Sequence, residues 1–569
     1  MKLHNSLFCA RWSTYLQLQV ILIFCINLAW LTHPVYTSIA PTNETDHLAL
    51  LKFKESIHTD PHGILTSWNH SNNFCNWVGI TCGLRHQRVI SINLQGYELG
   101  GSISPYIGNL SFLRNFILQN NSFYGQIPQE VGRLFRLQNL YLSNNTLGGE
   151  IPVRLTKCSK LKLINIRGNK LTGGIPKEIG SLKNLEIISI GRNNLTGGIP
   201  HSLGNLSSLR VFYAGENSMF GSIPEEIGGL KSLSILIIEG NKFSGKLPFS
   251  LYNLSSLINL SFENNKFEGV LPNNIDNNFR NLQDFAIGGN GFYGTIPASL
   301  SNLSKLLYLD ISINNFRGEV PISLGNLQDL WWLGLGVNNF GNNSAHDLAF
   351  LTSLANCSKL EKLFLDSNNL GGVLSNSIAN LSSQLNMLLI GSNQISGRIP
   401  EGIGNLKSLN VLGMQDNLLT GIIPTSLGKI PLRGLSLSRN GLSGHIPSSI
   451  SNLTGLVLLL LDRNKLEGSI PSSIGNCQNL QRLDIAQNNL SGPIPKQSIW
   501  SNSCDYRRLL KSGVPLPARE FFPRKHAFIL GLFERFTIFR SFTKQFVWRN
   551  SKRSSKIIFF NIIFEPFFQ

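Results

Sequence analysis

The sequence predicts an α/β-type solenoid: a right-handed superhelix with a parallel concave sheet and an N-terminal cap. Three observations predict it. A segment of the form L-x-L-x-x-N-x-L-x-G-x-I-P recurs through most of the 569 residues. Its spacing is nearly constant. Ahead of the first copy lies a short amphipathic stretch with two tryptophans and two close cysteines. A chain of this length would otherwise read as several globular domains, but one repeat array can run for hundreds of residues.

The repeat comes first. Its Asn stands at 16 positions from Asn121 to Asn488, and Tyr97 fills that slot in an earlier copy. That makes 17 copies, and 12 of the 16 intervals are 24 residues. The period lies within the 20–29 residues of leucine-rich repeats. L-x-L alternates, so it reads as a short strand with its Leu side chains on one face. One repeat cannot bury that face alone. Stacked copies pair their strands and share a continuous core. The Asn amide carries both a donor and an acceptor, so it is expected to satisfy backbone groups that the turn leaves unpaired. The Gly before I-P permits a tight turn, and Pro stiffens it.

One interval, from Asn338 to Asn368, is 30 residues. Ser344 and Asp347 there resemble a capping box, and Leu348, Leu351 and Leu354 follow at helical spacing. The segment reads as a ligand-binding insertion or as a longer convex-side helix, and the patterning favours the helix.

The array needs a cover for its first apolar face. Residues 41–84 are assigned to it. Asp46 to Lys54 reads as an amphipathic helix, followed by Trp68 and by Cys75-Asn76-Trp77-Val78-Gly79-Ile80-Thr81-Cys82. Cys75 and Cys82 are close enough in sequence to pair, which a secretory route permits. Residues 1–40 supply that route. Lys2 and Arg11 precede an apolar stretch from Val20 to Leu31, and Ser38-Ile39-Ala40 offers small residues for cleavage, so the segment reads as a signal peptide. The apolar stretch is shorter than the ~20 residues that span a bilayer. No other segment reads as a span. Cys158, Cys357 and Cys477 occupy a slot that is elsewhere Leu, so they read as small buried apolar residues. No C-x-x-C pair occurs, and neither a metal site nor a cofactor is expected.

Charge is unevenly spread. The net charge is +18, of which residues 496–569 carry +10 and residues 1–40 carry +2. The remaining +6 over 41–495 does not make the array a nucleic-acid binder. The repeats are assigned to residues 85–495. The basic, Phe-rich tail at 496–569 has no period. It reads as a surface patch for membrane or nucleic acid or, the reading favoured here, as a disordered or aberrant product of a truncated or misread gene.

The cap and the G-x-I-P repeats together resemble the plant leucine-rich-repeat receptor-like kinases. Arg85 to Leu94 (RHQRVISINL) and Asp347 to Leu360 (DLAFLTSLANCSKL) are similar to the subgroup of immune receptors for bacterial patterns. The resemblance implies a second sheet beside the first. It also implies an ectodomain at the cell surface or in the extracellular space that binds a peptide or microbial protein ligand and recruits a co-receptor kinase ectodomain. The sequence departs from that family after the repeats. No spanning helix, Gly-rich phosphate loop, His-Arg-Asp or Asp-Phe-Gly motif follows, and Cys504 stands alone where a cysteine pair is expected. The chain therefore reads as an ectodomain truncated before the membrane and kinase parts, and not as an enzyme. A secreted inhibitor or decoy, or a non-functional product, is the alternative.

Ligand contacts are expected at the variable positions flanking the Leu pair, pointing into solvent on the concave face. These are Tyr141, Arg167, Tyr213, Ile237, Glu239, Tyr308, Asp310, Trp332, Phe364 and Asp366. Aromatics exposed there are unfavourable without a partner and are common binding hot spots. Trp331 precedes its strand and is expected to pack against its neighbour. Fifteen Asn-x-Ser/Thr sequons mark glycosylation sites at Asn43, Asn69, Asn109, Asn120, Asn144, Asn194, Asn205, Asn253, Asn259, Asn302, Asn342, Asn356, Asn380, Asn452 and Asn489. Many lie in a convex turn, which leaves the sheet free. Asn259 is expected to border the concave sheet, where a glycan would block a ligand.

Overall fold

The computed structural model describes residues 43–492. The signal peptide, the last residues assigned to the array, the basic tail, and Cys9, Cys25 and Cys504 lie outside the described residues. Within them, the L-x-L segments form one ladder of 17 parallel strands, from Val89–Asn93 to Arg482–Asp484. Pairing is in register: Leu140 meets Ile164, and Ile188 meets Phe212. A short antiparallel strand, Ile80–Cys82, extends the ladder at its N-terminal end. Among the described residues the ladder is open, because neither Ile80–Cys82 nor Arg482–Asp484 has a second partner strand.

Each inward Leu, Ile or Phe is buried in one continuous core that runs the length of the array. The chain returns through short 3₁₀ helices on the convex side, such as Gln129–Arg133 and Lys177–Ser181. Most begin right after the repeat Pro, whose fixed φ suits an entry position. Between them runs the second sheet, in three stretches. The first includes Ser122–Gln126 and Lys170–Thr172, the second runs from Phe220–Gly221 to Asn339–Phe340, and the third from Ser396–Arg398 to Asn489–Leu490.

The Asn ladder does what its chemistry demands. The Asn145 Oδ1 accepts from the Phe123 N–H of the preceding repeat at 2.9 Å. Its Nδ2 donates to the Leu118 carbonyl of that repeat at 2.9 Å and to its own Leu142 carbonyl at 3.1 Å. Asn169, Asn193 and Asn241 repeat the pattern. One side chain thus closes its own turn and ties it to its neighbour.

The cap is built as its sequence reads. The helix Asn43–Glu55 buries Ala49, Leu50 and Phe53, and Phe53 meets Phe116 and Phe123 of the array, each ring at 6.1 Å. Trp68 and Trp77 stack at 5.3 Å, and Cys75 and Cys82 are joined by a disulfide. The buried carboxylate of Asp46 takes Arg88 Nη2 at 2.6 Å, Arg88 Nε at 2.9 Å and the Val89 N–H at 2.9 Å. That pair clamps the cap helix to the first concave strand. Cys158, Cys357 and Cys477 are buried free thiols, as their Leu-like slot requires.

The 30-residue interval does hold a helix, but only Ala349–Ser353, followed by a 3₁₀ turn at Leu354–Asn356. Phe350, Leu351 and Leu354 are buried against the core. The capping box is half made. Asp347 Oδ2 reaches back to the Ser344 N–H at 2.9 Å, but Ser344 Oγ accepts from His346 N rather than from Asp347 N, and the helix starts later. Asp347 Oδ2 also accepts from Gly371 N–H in the next repeat at 2.9 Å, so it stitches the insert to the array. Among the described residues no helix is long and apolar enough to cross a membrane.

Candidate functional site

Every concave strand presents alternate side chains outward, and parallel pairing lines these up across repeats. The 10 predicted contact residues do lie on this face, but the expectation that they stand free in solvent is corrected for six of them. Arg167, Tyr213, Ile237, Asp310, Phe364 and Asp366 are buried, while Tyr141, Glu239, Tyr308 and Trp332 are half-buried. Glycine is the physical reason in several cases. A long side chain lies sideways across a neighbouring strand wherever that strand has no side chain of its own. Tyr213 covers Gly191, where a Cβ would overlap its ring. Arg167 reaches over the same glycine to stack on Tyr213, with Cζ 4.7 Å from the ring centroid. Asp310 leans over Gly334, whose added Cβ would lie 2.7 Å from Oδ1, and Asp366 leans over Gly336 at 2.9 Å.

The face divides into three zones. Near its N-terminal end, Tyr141 packs with Leu163, Ile187, Val211 and Ile235 in an apolar patch. Farther along, Trp332 and Leu460 flank a buried apolar group of Phe364, Met387, Leu389, Val411 and Leu458. Between these patches lies a band of carboxylates. Glu239 accepts from Ser261 Oγ at 2.8 Å, Asp284 accepts from Asn259, and Asp310 accepts from Ser312 N at 2.9 Å and Trp332 Nε1 at 3.1 Å. Burial raises each of them above its ordinary value. Glu263 is pushed up to about 8 by burial and then by the charges of Asp310 and Glu239. Asp284 is pushed up to about 6 by burial, which the Asn259 hydrogen bond partly offsets.

An aromatic wall borders the band. Tyr308 stacks on Trp332 at 5.1 Å, and Phe364 meets the edge of Trp332 at 4.8 Å. Lys362 lies over the Trp332 ring at 4.6 Å. As expected, Trp331 packs on its neighbours, 5.7 Å from Tyr308 and 5.6 Å from Trp332. Sequence reasoning missed Glu263, Asp284 and Lys362. The signal for Glu263 was present, since it follows Glu239 by one period at the same repeat position. Asp284 and Lys362 share the first outward position of their strands with the predicted Tyr308 and Trp332, so the register that carries those two aromatics was the signal for both.

Of the sequon asparagines, 12 are exposed, Asn69 and Asn144 are half-buried, and Asn259 is buried. Among the described residues no cluster of His, Cys, Asp and Glu is placed to hold a metal ion.

Comparison with known proteins places this architecture. A leucine rich repeat N-terminal domain matches residues 43–83 and a leucine-rich repeat region matches 82–218. Single leucine rich repeats match four further segments between 359 and 497. The solved plant peptide hormone receptor RGFR1, in complex with RGF2, is 31% identical, over 74% of this chain and 81% of that one, at a TM-score of 0.60. The chain belongs to the plant leucine-rich-repeat receptor family. The Arabidopsis receptor kinase HAESA, solved with an IDA peptide hormone, is 30% identical over 81% of this chain and 84% of that ectodomain, at a TM-score of 0.60. The LRR receptor-like serine/threonine-protein kinase EFR of Arabidopsis thaliana is 58% identical over 83 residues, 14% of this chain and 8% of that protein. The match thus spans a small part of the full-length kinase. The family models fall on cap and repeats, so what they cover in this family member is a non-catalytic ectodomain.

Proposed function

We propose that this chain recognises an extracellular peptide or microbial protein ligand on its concave sheet, in defence or peptide signalling, and engages a co-receptor kinase ectodomain when bound. The observation that carries the reading is the cluster of Tyr308, Asp310, Trp332 and Phe364 on that face. Repeat packing requires only the inward Leu positions. Aromatic side chains presented outward beside carboxylates serve recognition rather than the core. The solved relatives support it: HAESA is known in complex with the peptide hormone IDA and the co-receptor SERK1, at 28% identity, 79% coverage of this chain, 87% of that one and a TM-score of 0.52. The Cys75–Cys82 disulfide suits an oxidising, secretory compartment.

Hydrogen exchange on the secreted chain, with and without pooled synthetic peptides, tests this. Protection on binding is expected in Tyr308–Asp310 and Trp332–Gly334. Ligand-dependent co-elution with a SERK1 ectodomain would extend the reading to the co-receptor. Protection confined to the convex 3₁₀ turns would overturn it.

A further inference from the structure

The carboxylate band has a feature that the fold does not explain. Four acids lie in four successive repeats, Asp284 and Asp310 on their strands and Glu239 and Glu263 just past theirs, and no basic side chain pairs with Glu263, Asp284 or Asp310 among the described residues. Asp284 and Asp310 at least have hydrogen-bond donors from their own sheet. The Glu263 carboxylate accepts no hydrogen bond from the described residues, and the groups that act on it, Asp310 and Glu239, are both acidic. The one lysine nearby, Lys362, is held over Trp331 and Trp332, two strands beyond Asp310. The aromatic wall therefore stands between Lys362 and the acids, while Arg167 and Arg192 act only on Glu239, at the opposite end of the band. Small residues, Ala286 and Gly288, stand in the repeat between Glu263 and Asp310, and Asp310 Oδ1 leans over Gly288, 3.2 Å from where a Cβ would sit.

A second observation lies farther along the same face. Gln415 is buried, leans over Gly391, and has a side-chain carbonyl oxygen with no hydrogen-bond donor. Across Gly413 it faces Leu389, a member of the apolar group with Met387 and Val411. A buried amide oxygen without a donor is unfavourable unless something supplies one. Asp310 and Gln415 belong to strands four steps apart, roughly 19 Å at the usual strand spacing, or about six residues of extended peptide.

We propose that the concave face reads an extended peptide at two points: a basic side chain seated among Glu239, Glu263, Asp284 and Asp310, and, about six residues away, an apolar side chain beside Gln415 whose backbone N–H satisfies that amide. This rests on the concave face being the ligand site. Charge complementarity selects the occupant. Four carboxylates without a basic partner among three of them repel an acidic segment, and a guanidinium or ammonium relieves the repulsion. The raised carboxyls set the pH response. The groups facing Glu263 are Glu239, Asp310 and Tyr308; Tyr308 also faces Asp284 and Asp310, and Glu239 in turn faces Glu216, Arg167 and Arg192. A cation favours their charged forms, so binding below pH 8 releases protons, and affinity weakens as pH falls toward 5.

The test uses the full secreted chain and an N-acetylated, C-amidated decapeptide in a Gly-Ser background. It carries Arg and, six positions on, photoreactive benzoylphenylalanine. Control peptides replace Arg by citrulline or by Glu. Crosslinks mapped by mass spectrometry are expected in residues 387–415. Yield should be at least 10-fold lower with citrulline, and should rise several-fold between pH 5.5 and 7.5. Glu263→Gln and, separately, Glu239→Gln should each lower the yield of the Arg peptide, the first at least 10-fold, with melting temperatures confirming that both variants fold. Equal labelling of the concave strands by the citrulline or Glu peptide, or an unchanged yield in Glu263→Gln, would overturn the proposal while leaving the concave site standing. If none of the peptides labels the concave strands, both readings fail.

Discussion

Single side chains decide whether this array is stable as well as what it binds. Glu263 is the clearest case. Its carboxyl titrates near 8 in the fold, against an unfolded value near 4.3. The folded state thus holds the proton more tightly, so the group opposes folding progressively as pH rises from about 4 to 8. Replacing it by Gln removes that opposition. Guanidinium unfolding at pH 8 should show Glu263→Gln more stable than the parent by about 1–3 kcal/mol, and the difference should vanish near pH 4. A stability gain joined to a binding loss is what a site kept for function shows. Asn169 is the opposite case. Its Oδ1 accepts from Leu147 N–H and its Nδ2 donates to Leu142 and Ile166 carbonyls, each at 3.0 Å. Asn169→Ala strands the buried Leu147 N–H and removes one of two Asn donors from each of the Leu142 and Ile166 carbonyls, which keep Asn145 and Asn193, and should cost roughly 1–3 kcal/mol in the same assay.

At the scale of elements, two acidic residues fix pieces that the repeat pattern does not. Asp46 binds the cap helix Asn43–Glu55 to Arg88 at the start of the array. Asp46→Ala leaves a buried guanidinium without its carboxylate, a loss of about 3–5 kcal/mol for such pairs. Hydrogen exchange should then rise in Asn43–Glu55 and Val89–Asn93 while strands beyond the third repeat keep their protection, because a solenoid transmits a defect only to its neighbours. Uniform loss of protection along the array would contradict this. Cap and repeats were legible in the sequence for a simple reason: burial of Leu at period 24 and the needs of an Asn turn leave a mark in every copy. The insert was legible as a helix but not in its length. Its start is set by Asp347 bonding to Gly371 in the next repeat, a tertiary contact that local spacing does not encode. The lateral burial of Arg167 and Tyr213 was hidden for a related reason. It depends on Gly191 being on the strand between them, so it is read across repeats rather than along one.

Taken whole, the molecule has one face to keep open and another to keep soluble, and the sequons divide between them. Asn109, Asn205, Asn253, Asn302 and Asn452 end convex 3₁₀ turns with exposed side chains. A glycan there projects away from the sheet. Asn259 carries the same sequon but begins a concave strand, is buried, and donates its Nδ2 to Asp284. A sugar on that nitrogen would displace the donor, strand a second carboxylate beside Glu263, and cover the acidic band. The fold therefore selects against occupancy at Asn259 after or during synthesis, whereas the convex sites have no such conflict. Site-resolved mass spectrometry of the protein secreted from plant cells should find the five convex asparagines largely glycosylated and Asn259 bare. Removal of the Asn259 sequon by Ser261→Ala should leave the glycan mass unchanged, although it also costs Glu239 its hydrogen bond from Ser261. High occupancy at Asn259 in folded, secreted protein would mean that the band is covered, and that ligand recognition has to be sought elsewhere on the array.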